Sequence, residues 1–324
     1  MRKLCNLPLM VVFSSVALAQ ANAPSSPPAV DPPSTDQLFE TGKALFDQFA
    51  PAEIKEQYDF PSKEQWDAFA ARLQHALDSN NLEELAAFDH EAHTALTALR
   101  LFPGYEEYAD WLQERIDYIE AAKTAAAEPV AKTPPRKTPT QPGQLAAPAV
   151  AMPNYDLWLK RMRARTVPER AAQLMPILRA AFVAEGVPAE IAWIAEAEST
   201  LNPAARSPAG AKGLFQLMPD TAKNLGLSTF LPDERADAEK SAKAAARYLH
   251  TLHDKFGDWP LAFAAYNAGE GRVRRLLKAK DVDTFAEIAA SLPSETRMYV
   301  PKVCATIEVR SGVPPDKLPR PTTG

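Results

Sequence analysis

The chain has 324 residues, with 46% hydrophobic and 24% charged side chains and a net charge of −5. That length suits roughly two domains of about 150 residues each. The composition is that of an ordinary soluble globular protein, which excludes global disorder, a multi-span membrane protein and a general nucleic-acid binder. The charge is uneven: residues 1–152 carry 12 Lys/Arg against 21 Asp/Glu, and residues 153–324 carry 24 against 20. A split from −9 to +4 predicts two units with different surroundings. Only Cys5 and Cys304 occur, so neither a disulfide scaffold nor a Cys-rich metal site can be built.

In chain order, residues 1–19 read as a secretory signal peptide. Met1-Arg2-Lys3 is basic, Leu4 to Ala19 is short and apolar, and Ala17-Leu18-Ala19 is a cleavage pattern. Cys5 lies too early to be a lipidation cysteine, and an uncleaved anchor is the alternative. Cleavage would leave Cys304 alone, expected as a small buried filler. Residues 20–35 and 126–153 are Pro-rich and predict extended linkers. Between them, residues 36–125 form an acidic helical unit. Its stripes are Leu38, Phe39, Leu45, Phe46 and Phe49; Trp66, Phe69, Leu73 and Leu77; and Tyr105, Tyr108, Leu112, Ile116 and Ile119. Ser62 to Gln65 is a capping box. His90 and His93, three apart but lacking a third ligand, read as surface or helix-packing residues. The unit names no chemistry; a docking module for an envelope protein is one reading of it.

Residues 154–312 predict a second, all-helical unit, followed by a Pro-rich tail over 313–324. Seven of the twelve glycines fall between Gly186 and Gly271 and punctuate its helices. Four elements here carry chemistry. The helix from Pro188 to Ser199 puts Ile191, Ile194, Ala195 and Glu198 on one face, with Glu196 opposite. A carboxyl on an apolar stripe has its neutral form favoured, which is what a general acid needs. The Gly/Pro loop from Asn202 to Pro219 offers Ser207 and Gln216. An apolar helix ends in Tyr266-Asn267, a ring and an amide suited to sugars. Leu292 to Pro301 brings Tyr299.

Taken together, Glu198-Ser199, Gly213 to Gln216, Ala265 to Asn267 and Tyr299 resemble the motifs of lytic transglycosylases that cleave bacterial peptidoglycan. The Leu292-Pro293-x-Glu295-Thr296 stretch is most similar to the membrane-bound D-type branch. The resemblance covers about residues 185–310. It departs from that branch in having no candidate peptidoglycan-binding repeats after the catalytic unit. It implies an all-α, goose-lysozyme-like catalytic domain preceded by a separate small helical domain. Glu198 would be the single catalytic acid, and Ser207 would hydrogen-bond it. Gln216, Tyr266, Asn267 and Tyr299 would position the sugar. No metal or cofactor is implied, and the partners would be periplasmic glycan strands, not nucleic acid. A second carboxylate, sought at Glu190, Glu196 and Glu270, is not found by spacing. The alternatives are a goose-type lysozyme hydrolase on the same fold and a non-catalytic wall-binding scaffold. His250, His253 and the run Arg272 to Arg275 read as non-catalytic.

Overall fold

The computed structural model describes residues 63–101, 106–127, 152–207 and 209–322, with positions 44, 47 and 48 besides. The leader, the first linker, residues 128–151 of the second, the Leu38–Phe49 stripe, Ser62 and Tyr105 lie outside the described residues, as do the side chains of Trp66, Phe69 and Tyr108. Among the described residues every regular element is helical, and strand-like pairing is limited to two isolated bridges, Arg206 with Lys212 and Lys212 with Leu217. None of these helices is long and apolar enough to cross a membrane.

The acidic unit contributes α1 (Lys63–Asp78), α2 (Leu82–Ala86), α3 (Asp89–Leu101) and α4 (Glu106–Ala127). Asn81 starts α2, its side chain accepting the Glu83 and Glu84 amides, orphan donors at a helix start. α4 packs on α2 and α3. Their shared interior holds Leu73, Leu77, Leu85, Phe88, Leu112, Ile116 and Ile119, the stripes seen in the sequence. His93 spends its ring on helix packing, with Nδ1 2.8 Å from the Asp89 carbonyl and Nε2 3.1 Å from Glu120 on α4.

The second unit runs through α5 (Tyr155–Arg163), α6 (Ala171–Ala184), α7 (Ile194–Ser199), α8 (Pro219–Asn224) and α9 (Ala238–Phe256). It continues with α10 (Trp259–Ala268), α11 (Glu270–Lys280), α12 (Phe285–Ile288) and α13 (Ser294–Ser311). α13 is the axis: α5, α7, α10, α4 and α1 all pack on it. Its residues from Met298 to Ile307 are buried without a break, as expected of a helix enclosed on every side. Asp237 and Asp258 cap α9 and α10, accepting the amides of Lys240 at 2.8 Å and Leu261 at 3.1 Å. Cys304 is the buried filler expected. The Pro-rich tail straps back on the fold: Trp259 Nε1 donates to the Pro319 carbonyl at 2.8 Å, and the Thr322 amide to Gly186 at 2.8 Å.

The acidic helices do not stand apart from this unit. The Ser294 amide donates to the Ser79 carbonyl at 2.6 Å, and Arg297 to the Asn80 carbonyl at 2.8 Å. Asp117 on α4 meets Arg165 at 2.5 Å, and Glu120 meets Arg161 at 2.5 Å. These ion pairs and hydrogen bonds join the two units.

Candidate active site

Local backbone geometry aims Glu198. The stretch before it differs from the single helix expected: Ala189–Trp193 is a 3-10 turn and only Ile194–Ser199 is α-helical. The helix then stops at Thr200 and Leu201, both left-handed with φ 51° and 58°. A β-branched residue in that region is strained, and such strain is stored where the surroundings over-determine it. Here the Thr200 amide donates to Glu196 and the Leu201 amide to Ala195. Ser199 is the cross-brace. Its hydroxyl reaches the Ala195 and Leu214 carbonyls at 3.1 and 3.0 Å and receives the Asn202 amide at 3.2 Å.

The Gly213 to Gln216 loop is clamped beside that helix end. Gly213 sits at φ +82°, and a Cβ there would lie 2.0 Å from the Arg235 carbonyl oxygen. Phe215 is buried against Phe182, ring centroids 5.6 Å apart. Gln216, at φ 45°, folds its Nε2 onto the Gly213 and Ala205 carbonyls at 2.9 and 3.3 Å. Tyr266 donates to the Phe215 carbonyl at 2.7 Å, its ring 5.5 Å from that of Tyr248. Asn267 accepts the Thr296 hydroxyl at 2.7 Å through Oδ1, which leaves its amide nitrogen as a donor. Gln216 and Tyr266 thus hold the loop, and Asn267 ties α10 to α13.

Tyr299, 1% exposed on α13, donates its hydroxyl to Glu198 Oε1 in a short hydrogen bond. Ser207 sits in the turn of its own loop. Its hydroxyl accepts the Ala211 amide at 3.0 Å and its backbone closes a turn with Ala211 and Gly210. Glu196 is not a solvent-facing carboxylate; it is buried and doubly bonded to Arg310, at 2.9 and 2.7 Å. Glu270 is likewise spent, on Lys255 and Arg274. His250 donates from Nδ1 to the Glu185 carbonyl at 2.9 Å, and His253 is buried against Trp259.

Burial pushes the Glu198 carboxyl up to about 8. The Tyr299 hydroxyl pulls the other way, Glu114 adds to the rise, Arg115 opposes it and Glu295 adds a further repulsion. Glu198 is therefore neutral at pH 7, with Oε1 accepting and Oε2 left to carry the proton. A carboxylic acid in that state is a general acid at neutral pH.

Residues 175–288 match the family model described as the Transglycosylase SLT domain. This segment is similar to that family of domains. Glu198, Ser207, Gln216, Tyr266 and Asn267 lie within it, and Tyr299 follows it on α13. The chain is 38% identical over 130 residues to membrane-bound lytic murein transglycosylase D of Escherichia coli K12, across 38% of this chain and 28% of that protein. It is 40% identical over 120 residues to the soluble lytic murein transglycosylase of Salmonella typhimurium, across 35% of this chain and 19% of that one. It is also 34% identical over 116 residues to membrane-bound lytic murein transglycosylase F of Vibrio cholerae, across 32% and 21%. The similarity therefore spans less than a third of each of these relatives. The 70 kDa soluble lytic transglycosylase of Escherichia coli aligns at a TM-score of 0.40 and 18% identity, covering 88% of this chain and 59% of that one.

Two groups beside Glu198 escaped the sequence reading. Glu114 and Arg115 come from α4, outside the matched segment, and sit with Glu198 only because the acidic helices dock there. No motif marks them.

Proposed function

We propose that this chain is a peptidoglycan lytic transglycosylase. It cleaves the β-1,4 bond between N-acetylmuramic acid and N-acetylglucosamine and leaves a 1,6-anhydromuramic end. The observation that carries this reading is Glu198, a carboxyl held neutral at the end of α7 in the segment that matches the SLT domain, with Tyr299 bonded to one of its oxygens. Oε2 gives its proton to the glycosidic oxygen as the bond to C1 breaks. The Tyr299 hydroxyl stabilises the carboxylate that forms. That carboxylate then takes the proton of the muramic C6 hydroxyl as its oxygen attacks C1. Glu198 returns to its starting state and no water is consumed, so the reaction is a lyase reaction. The clamped loop supports this by presenting Gln216, while Tyr266 and Asn267 supply a ring and an amide donor to orient the sugar.

The leader pattern of residues 1–19 supports export to the cell envelope. The docking role expected of the acidic unit gains no support, since α4 spends its face on the second unit and on α2 and α3. The test is digestion of purified sacculi followed by mass spectrometry. Anhydromuramic ends are expected from the wild type and none from Glu198→Gln. Reducing ends, one water heavier, would assign a hydrolase instead, and undiminished digestion by Glu198→Gln would remove Glu198 from the chemistry.

A further inference from the structure

The acidic helices bring a second carboxyl to the site. Glu114 is 9% exposed at the middle of α4. Its Oε1 lies 3.5 Å from the hydroxyl of Thr200, the left-handed residue that ends the Glu198 helix. Its Oε2 lies 3.2 Å from Arg115, and Arg115 in turn lies 3.7 Å from Glu295 on α13. The guanidinium is fixed over the Trp111 ring, 4.8 Å from its centroid. The neighbouring residue on the α4–α7 contact repeats the pattern, with Asn202 Nδ2 reaching Asp110 at 3.5 Å. A buried acid is costly to keep without partners, and those of Glu114 are Arg115 on its own helix and Thr200 at the end of the Glu198 helix.

We propose that Glu114 is a positioning residue for Glu198: from α4 its carboxyl reaches the hydroxyl of Thr200 and so bears on the end of the Glu198 helix. The acidic unit is then a working wall of the active site. This rests on the proposed transglycosylase reading and deepens it.

The charges around the two acids come from three elements. Glu198 faces Glu114, Arg115 and Tyr118 of α4, Glu295 and Tyr299 of α13, and Tyr266 of α10. Glu114 faces Arg115, Asp117 and Asp110 of its own helix and Lys302 of α13. Lys302 is buried, donates to the Ala197 carbonyl at 3.3 Å and lies 4.0 Å from Asp117, so its charge is shared rather than given to Glu114. Burial, the largest effect, pushes Glu114 itself up to about 7. Like charges in one pocket repel, so each carboxyl resists ionisation of the other.

The experiment is the pH dependence of sacculus digestion by the full chain, wild type against Glu114→Gln and Arg115→Gln, with a thermal melt at each pH. Glu198 must be protonated to act, so the rate falls on the alkaline side as it ionises. Removing the Glu114 charge moves that alkaline limb down by about one pH unit. Removing the Arg115 charge moves it up, because the cation had favoured ionised Glu198. Glu114→Asp, which keeps the charge, brings the limb back toward that of the wild type. Opposite shifts support the inference; unmoved limbs, or shifts of the same sign, overturn it. If Glu114→Gln does not fold, Thr200→Val, which removes the hydroxyl that reaches Glu114, decides instead: a displaced alkaline limb supports the inference and an unmoved one overturns it. Absence of anhydro products from the wild type defeats the transglycosylase reading separately, since the limb can be followed on whatever product forms.

Discussion

Replacing Glu198 with glutamine abolishes the proposed chemistry and makes the protein more stable at neutral and alkaline pH. The folded chain holds this carboxyl near 8, against an ordinary value of 4.5. A carboxyl raised by folding favours the protonated fold. Its effect on stability is nil below the unfolded value, grows unfavourable as pH climbs past it, and levels off above the folded value. At pH 7, 2.5 units above the ordinary value, the wild type carries a penalty of about 3 kcal/mol, at roughly 1.4 kcal/mol per unit. Glutamine has no such penalty, and its amide oxygen can still accept from Tyr299. Part of the penalty is shared with Glu114, so about 3 kcal/mol is a ceiling. A gain of that size raises the melting temperature by roughly 6–12 °C in a domain of this size. Urea unfolding of both proteins at pH 4.5, 7 and 8.5 measures it. The advantage of Glu198→Gln should vanish at the lowest pH and be largest at the highest. A variant that loses stability relative to wild type as pH rises would refute the reasoning, because the site would then welcome the carboxylate.

Tyr299→Phe removes the donor that stabilises ionised Glu198. Sacculus digestion should slow by about 10² or more, and the alkaline limb should move to higher pH, read from initial rates across the pH range. Arg310→Met leaves Glu196 buried without its partner; urea titration should show a loss of about 3–5 kcal/mol, with part recovered on adding Glu196→Gln. Gly213→Ala places a methyl 2.0 Å from the Arg235 carbonyl at a positive φ. It should cost about 3 kcal/mol or more and disable the loop. Gly226→Ala, at a similar φ with open space around it, should cost only about 1–2 kcal/mol; equal losses in the two variants would remove the steric argument.

The parts of the site written as short contiguous patterns were legible in the sequence. Glu198 stands next to its bracing Ser199, Gly213 needs to be glycine for a contact with Arg235, and Tyr299 follows a helix start marked by Pro293. The helical character of both units followed from their apolar spacing, and Leu73, Leu77, Leu112, Ile116 and Ile119 are buried as that spacing requires. Three things were hidden. The 3-10 turn at Ala189–Trp193 has the same residue types as a helix, so periodicity alone merges it with α7. Ser207 lies in a loop whose turn at Gly210 and Ala211 engages its hydroxyl as an acceptor, a contact set by backbone geometry. Glu114 and Arg115 reach Glu198 across some 80 residues of chain through docking of α4.

The central claim is that Glu198 is a neutral acid at physiological pH, and its titration tests that claim most directly. Carboxyl-carbon NMR of the glutamate-labelled protein, with the Glu198→Gln spectrum subtracted, isolates its resonance. The account predicts a midpoint near 8, with a shift at the same position when Glu114 titrates near 7. A midpoint of about 4–5, the range of an exposed glutamate, would contradict it.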